Sequence, residues 1–464
     1  MGSRVGEPAI RLHSTELVLA AERFAIDVRN DWIPDVVQYR DLASRTRCLM
    51  AGRSAPVAVR VPKPNGTGDR LSIIPSPHDR LLFQAYVQQF APLLPSGQSF
   101  SARLRYPNSR AFIVSPRRQW QNFERAVAKA RESQNWTATA DIKDFFGSIS
   151  HQHIYIKLKG RLEGSRTDNR KAIQALEYTS SLLSNWFPSG LGLPQNAIPS
   201  SVMADRYLDA VVDTILQDEA DQDSRALRYM DDYLLMSGSR KALIGALQRL
   251  SEIAVRSGLS MNPGKEQISS PREGPAPETA QRQLSRIRRL LIEGPAPSQT
   301  RLVNLVHLTR SMPALAEPLA RHISARGTLA ERPARAIVDV LQSLPYTLAW
   351  TRMWLWRSLF GATDERLKDY ATLNALSSTP EEIERSTSLC LAALGHRLGL
   401  SDIQNVYDRA STYSLRRACV WSAHFLGHTL SGLHDDDAPL AEWLDSQDNP
   451  VSPMALKPDS GSYF

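Results

Sequence analysis

Cysteine is scarce in this 464-residue chain: Cys48, Cys390 and Cys419 are the only three, and none has a partner at metal-ligand spacing. That argues against a cysteine-built zinc site and against a disulfide-stapled secreted scaffold. Long apolar runs are missing too. The chain does not open on a charged n-region followed by an apolar h-region, and no stretch approaches the roughly 20 apolar residues that a membrane span needs. Cytoplasmic residence without membrane contact is therefore expected. Gly6 stands where a myristoylation signal after Met1-Gly2 would carry Ser or Thr, so a lipid anchor is disfavoured as well. Acidic excess is also absent. With 56 Lys and Arg against 48 Asp and Glu, the net charge is +8, which favours a polyanion as partner without specifying one.

What is present divides the chain in three. A hydrophobic fraction of 42% supports real cores, and 464 residues exceed one ordinary domain. Residues 14–30 (STELVLAAERFAIDVRN) place Leu17, Ala20, Ala21, Phe24 and Val28 at helical spacing behind Ser14 and Thr15, which predicts an amphipathic helix. We expect residues 1–58 to be a helical segment packed on the body that follows. Residues 59–270 mix short β-type runs (PVAVRVP, LSIIP, WTATADI, ALRYM, YLLMSG) with helical stretches, the pattern of an α+β body. The Pro/Gly-rich break SSPREGPAPET at 269–279 then leads into successive helices, so 271–464 reads as an all-α domain.

The chemistry concentrates in the middle region. In LRYMDDYLLMSG, residues 227–238, two adjacent acids separate two β-forming runs, so the chain is expected to reverse at Asp231-Asp232. Adjacent carboxylates repel, and solvent or a divalent cation relieves them. A second acid comes from WTATADIKDFFGSIS, where Thr137, Thr139 and Asp141 alternate with Ala138 and Ala140 along a predicted strand that breaks at Asp144-Phe145-Phe146. If the hairpin lies beside this strand, Asp141 meets Asp231 and Asp232. Three such carboxylates could hold two Mg²⁺ ions for phosphoryl chemistry.

These segments, in this order, resemble a reverse transcriptase. YMDD (Tyr229–Asp232) is similar to motif C of that family, ADIKDFF (Ala140–Phe146) to motif A, GLPQNAIPSSVMADRYL (Gly192–Leu208) to motif B and GLSMNPGKEQI (Gly258–Ile268) to motif D. VPKPNGTGDRLSIIPSPHDRLLFQA (Val61–Ala85) resembles its fingers segment. The resemblance implies a right-hand polymerase whose fingers and palm combine an antiparallel sheet with helices, followed by an all-α C-terminal domain. It implies Asp141 and Asp231 as principal metal ligands beside Asp232, Mg²⁺ or else Mn²⁺ as cofactor, and deoxynucleotides as substrate, with Phe146 rejecting a 2′-hydroxyl. Lys63 and Arg70 would grip the triphosphate, Gln195 would lie near the nucleotide or template base, and Lys265 would protonate the leaving pyrophosphate. The reaction implied is attack by a primer or protein hydroxyl on the α-phosphate. Two departures stand out: Asn196 replaces the glycine usual after Pro-Gln, and Asp205 replaces an asparagine. Both put conventional template handling in doubt.

IPSPHDRLLFQAYV and SFSARLRYPNSRAFIVSPRRQWQNF, with the helical extension, resemble the bacterial abortive-infection and defence-associated members, which implies an antiphage role. Their partners would be RNA, DNA or both, including a noncoding RNA template, with homo-oligomers common enough to expect. Templated copying and template-independent, protein-primed synthesis both stay open, as does an RNA-binding scaffold without chemistry. The helical extension ranks an intron or retron enzyme lower, and no Cys/His cluster suggests an attached zinc-dependent nuclease of the group II intron kind. In the helical region Arg282, Arg286 and Arg289 share one helical face that could lie along a nucleic-acid backbone, or simply face solvent. His424 and His428 are four apart, with Asp435–Asp437 nearby. Lacking a third matched ligand, they default to packing or surface roles. Trp350, Trp354, Trp356 and Trp421 are expected in the core.

Overall fold

The computed structural model describes residues 56–62, 69–94, 100, 104–105, 112–113, 116–132, 136–164, 169–195, 197–213, 224–270, 298–308, 319, 365–377, 382–394, 396–435 and 437–447. The expected helix at 14–30, and Trp350, Trp354 and Trp356, lie outside them. An antiparallel hairpin opens the described chain: β1 (Val57–Pro62) pairs with β2 (Asp69–Ile74), with Pro62 opposite Asp69 and Val61 opposite Arg70. Helix α1 (Pro77–Phe90) follows. Ser76 caps it by accepting from the Asp79 amide at 3.2 Å, and Pro77 occupies the first turn, where a missing N–H costs nothing. A short pair, β3 (Leu104–Arg105) and β4 (Phe112–Ile113), precedes helix α2 (Pro116–Glu132).

The centre is a four-stranded antiparallel sheet in the order β6-β7-β5-β8, made of β5 (Trp136–Asp141), β6 (Ser224–Tyr229), β7 (Asp232–Ser237) and β8 (Gln267–Ser269). Between β5 and β6 run the single turn α3 (Phe145–Ser148) and the helices α4 (His151–Glu163), α5 (Arg170–Trp186) and α6 (Ile198–Leu208). After β7 comes α7 (Arg240–Arg256), capped by Ser239.

Strand alternation assigns the two faces. Tyr233 and Leu235 on β7, with Ala138 and Ala140 on β5, join the main core with Leu243, Ala246, Leu250 and Ile253 of α7. Leu234 and Met236 point the other way, onto Leu227 and Val127 of α2. Both faces are covered, so β7 reads as a continuous apolar run. The main core extends to α1 and α5, where Phe83 meets Trp186 edge-on at 5.3 Å and Tyr86 stacks on Tyr178 at 5.3 Å.

From residue 298 onward the described elements are all helices: α8 (Gln299–Leu308), α9 (Glu365–Leu376), α10 (Glu382–Leu394), α11 (Leu400–Arg409), α12 (Tyr413–Phe425) and α13 (Ala438–Asp445). They form a second core around Trp421, Leu389, Cys390, Tyr407 and Leu444. The Tyr413 hydroxyl of α12 donates to the Pro75 carbonyl at 3.0 Å, tying this region to the loop between β2 and α1. Among the described residues no helix is long and apolar enough to cross a membrane.

Candidate metal centre

Antiparallel pairing of β5 with β7 puts Asp141 directly opposite Asp232. Asp231 occupies the two-residue turn between β6 and β7 with Met230, whose φ of +54° is a left-handed conformation rare for a non-glycine residue. Asp232 is thus the first residue of β7, and only Asp231 sits in the turn. Carboxylate oxygens of Asp141, Asp231 and Asp232 lie within 4.8 Å of one another, the only such acidic, histidine or cysteine group among the described residues. Asp141 is buried, and the other two are half-buried. The Ile142 amide donates to the Asp231 carbonyl at 3.2 Å, locking the turn to the strand end.

The segment 258–268 closes over Asp141. The Asn262 amide donates to the Asp141 carbonyl at 2.8 Å, and its side-chain Nδ2 donates to Asp141 Oδ2 at 3.1 Å. Lys265 Nζ donates to Asp141 Oδ1 at 2.7 Å. Each oxygen of Asp141 therefore has its own donor. The Lys143 amide bonds the Ser260 carbonyl at 2.7 Å and Thr139 Oγ1 bonds the Lys265 carbonyl at 3.2 Å, so the loop is stitched along the strand.

The charges are strongly coupled. Burial, then the Asp231 charge, push the Asp232 carboxyl up to about 7, with Asp141 adding to the rise and Lys265 opposing it. Burial draws the Lys265 ammonium down, but its hydrogen bond to Asp141 and the three carboxylate charges outweigh that and hold it above the ordinary lysine value. Crowded carboxylates partly stripped of water fit an oxygen-liking divalent cation, and the all-oxygen donor set suits Mg²⁺ or Mn²⁺.

Beyond Asp141 the chain turns through Asp144, at φ +45°, into α3. Phe145 is buried in the core, whereas Phe146 is half-buried at its edge. The glycine-rich loop before α6 runs alongside: the Leu193 amide bonds the Phe146 carbonyl at 2.8 Å, and the Gly192 amide bonds the Ile149 carbonyl at 2.9 Å. Gly190 and Gly192 adopt φ of +71° and +108°. A Cβ on Gly192 would lie 2.9 Å from the Phe187 ring, so the close approach requires glycine. Gln195 is half-buried in the turn that ends this loop.

Helix α6 begins at Ile198 with Pro199 in its first turn, and Ser200 and Ser201 are buried helical residues. Proline at the helix start fixes the entry geometry that a side-chain cap would otherwise provide. The helix then widens into a π-turn at Asp209–Asp213. Helix α12 ends at Phe425, and Gly427 at φ +76° reverses the chain, leaving His428 off the helix. His424 instead faces Asp445 at 3.2 Å. Trp421 is fully buried in the second core.

Other expected residues are partly or wholly out of view. Arg70 lies on β2, with its side chain outside the description, and Lys63, Arg282, Arg286 and Arg289 lie outside the described residues. Asn262 was not anticipated, because Asn-Pro-Gly reads as turn chemistry and masks a side chain that bonds Asp141. Arg228 was missed too, although an arginine inside a strand of apolar neighbours was the available signal.

A family model described as reverse transcriptase (RNA-dependent DNA polymerase) matches residues 61–299, just over half of the 464. No curated protein matches the chain. Among solved structures, telomerase from Candida albicans, in complex with a fragment of telomeric RNA, is 11% identical over 86% of this chain and 67% of its own, at a TM-score of 0.32. Telomerase from Candida tropicalis with the same kind of fragment is 11% identical over 86% of this chain and 65% of its own, at a TM-score of 0.36. The chain spans about two thirds of those telomerase chains. Likeness at these scores is too loose to carry an argument about function.

Proposed function

Because the chain belongs to the reverse transcriptase (RNA-dependent DNA polymerase) family, we propose that it copies RNA into DNA from deoxynucleotides at the Asp141, Asp231 and Asp232 site, in the cytoplasm and in defence against phage. The observation that carries the chemistry is three carboxylates, two from the paired ends of β5 and β7 and one from the turn before β7, with oxygens inside 4.8 Å. Asp141 and Asp231 are the principal ligands of a divalent pair, with Asp232 beside them, and Mg²⁺ is preferred over Mn²⁺. When bound, the ions supply activation of the attacking hydroxyl and neutralisation of charge on the transferred phosphate.

The protein groups do the rest. Asn262 and Lys265 aim the Asp141 carboxylate, and Lys265, at the site's open edge with its side chain 53% exposed, delivers a proton to the departing pyrophosphate. Lys63 and Arg70, which bracket PNGTGD in the sequence, hold the triphosphate. The Phe146 ring lies under the sugar and excludes a 2′-hydroxyl, and Gln195 faces the base. We take 1–58 as a helical segment on the fingers, 59–270 as fingers and palm, and 271–464 as a thumb-like helical domain whose Arg282, Arg286 and Arg289 follow the nucleic-acid backbone. The defence role is supported by the 74–87 and 99–123 segments and the helical extension.

Purified protein incubated with labelled deoxynucleotides and Mg²⁺, beside Asp231→Ala/Asp232→Ala, with and without copurifying RNA, tests this when the product is sequenced. The expected product appears only with wild type and is complementary to the RNA. Random or homopolymeric DNA that survives RNA removal would assign template-independent synthesis instead. Product from neither protein would leave an RNA-binding scaffold, and phage plating on cells carrying the same two proteins tests the defence role.

A further inference from the structure

Asp205 stands where the family carries an asparagine, and its surroundings account for the charge. It is 2% exposed on α6, and its Oδ1 accepts from Arg228 Nη2 at 3.2 Å while Arg206 Nη1 lies 3.6 Å from its Oδ2. Arg228, on β6, is itself only 4% exposed. Two buried guanidiniums converge on this one carboxylate, and a neutral amide there would remove that counter-charge. Buried ion pairs rarely add net stability over apolar packing, so a pair held at this depth is better explained by what it positions.

The guanidinium's other arm shows what that is. Arg228 Nη1 donates to the Met230 carbonyl at 3.2 Å. Met230 is the residue in the left-handed conformation, and Asp231 follows it. A planar fork holds an anion and a carbonyl at a fixed angle to one another, which the freely rotating donors of an ammonium do not. The turn bearing Asp231 is thereby held from two directions: the Ile142 amide donates to the Asp231 carbonyl from β5, and Arg228 holds the Met230 carbonyl from β6 with Asp205 of α6 fixing its angle. The Phe100 amide, bonded to the Arg228 carbonyl at 3.0 Å, pins the backbone of the same residue.

We propose that Asp205 and Arg228 form one positioning unit that holds the Met230–Asp231 turn, and so sets the Asp231 carboxylate relative to Asp141 and Asp232. The departure at 205 then belongs to the geometry of the metal ligands and not to template handling. This inference rests on the metal-dependent polymerase reading of the same site.

The test uses the full-length protein and three variants: Arg228→Lys, which keeps the charge on Asp205 but loses the fork, Asp205→Asn, and Asp205→Glu, which keeps the anion. Mn²⁺ binding is titrated by electron paramagnetic resonance, melting is recorded, and kcat and KM for a deoxynucleotide are measured. Arg228→Lys and Asp205→Asn are expected to stay folded and to bind Mn²⁺ roughly 10–100-fold more weakly, the usual cost of losing an outer partner of a metal ligand. Their kcat should fall by a similar factor with KM within about threefold, as when only transition-state geometry is lost. Asp205→Glu should recover part of both. Wild-type Mn²⁺ affinity in either of the first two overturns the proposal. Loss of folding in both also overturns it, since that assigns the pair to holding the fold. If wild type binds Mn²⁺ but incorporates no nucleotide, the polymerase reading fails while the titration still decides this one. Absence of Mn²⁺ binding by wild type overturns both.

Discussion

Two adjacent phenylalanines should respond to the same substitution in different ways. Phe145→Ala opens a cavity in the main core and is expected to cost about 3–5 kcal/mol of stability, read by denaturant unfolding. Phe146→Ala removes a half-buried ring at the core's edge, so the loss of stability should be smaller. Its expected signature is incorporation of ribonucleotides alongside deoxynucleotides in single-nucleotide extension. Asp232 gives a prediction with a sign. Its carboxyl is raised to about 7, so the native state keeps a proton that the unfolded chain releases near pH 4. In chelator, the melting temperature should therefore fall as pH rises from about 4 to 7, and Asp232→Asn should remove most of that fall. A slope unchanged by the substitution would show that another group sets it.

At the scale of elements, the loop before α6 is the most constrained piece. Gly192→Ala forces a Cβ against the Phe187 ring at 2.9 Å and into φ +108°. A destabilisation of about 1–3 kcal/mol is expected, together with a raised KM for the nucleotide as Gln195 shifts. Three of the sheet's four strands were legible in the sequence because their signals are local: alternation along β5, and the β-forming runs of β6 and β7 on either side of an acid pair; β8, three residues long, left no such signal. The meeting of Asp141 with the hairpin acids could be anticipated once those strands were taken as neighbours. Side-chain contacts that no strand pairing or motif announces could not. Asn262 on Asp141 is such a contact, with a separation of 121 residues, and its residue type suits a plain turn equally well.

For the whole molecule, one hydrogen bond joins regions that the sequence pattern separates. Tyr413, which begins α12, reaches the Pro75 carbonyl at the foot of α1. Tyr413→Phe removes that bond, and a loss of about 1 kcal/mol is expected, the ordinary net value of one hydrogen bond. Amide exchange should quicken at the start of α1 more than in α7. The helical region after 298 is therefore more than an appendage trailing the polymerase body, because it braces the segment that follows the β1–β2 hairpin. That brace also has a schedule. The two residues are 338 apart, and at the usual 5–20 residues per second of synthesis the ribosome needs roughly 20–70 s to travel between them. Throughout that interval the Pro75 carbonyl must rely on water or a helper protein, so the start of α1 is the place to look for a chaperone's footprint on nascent chains.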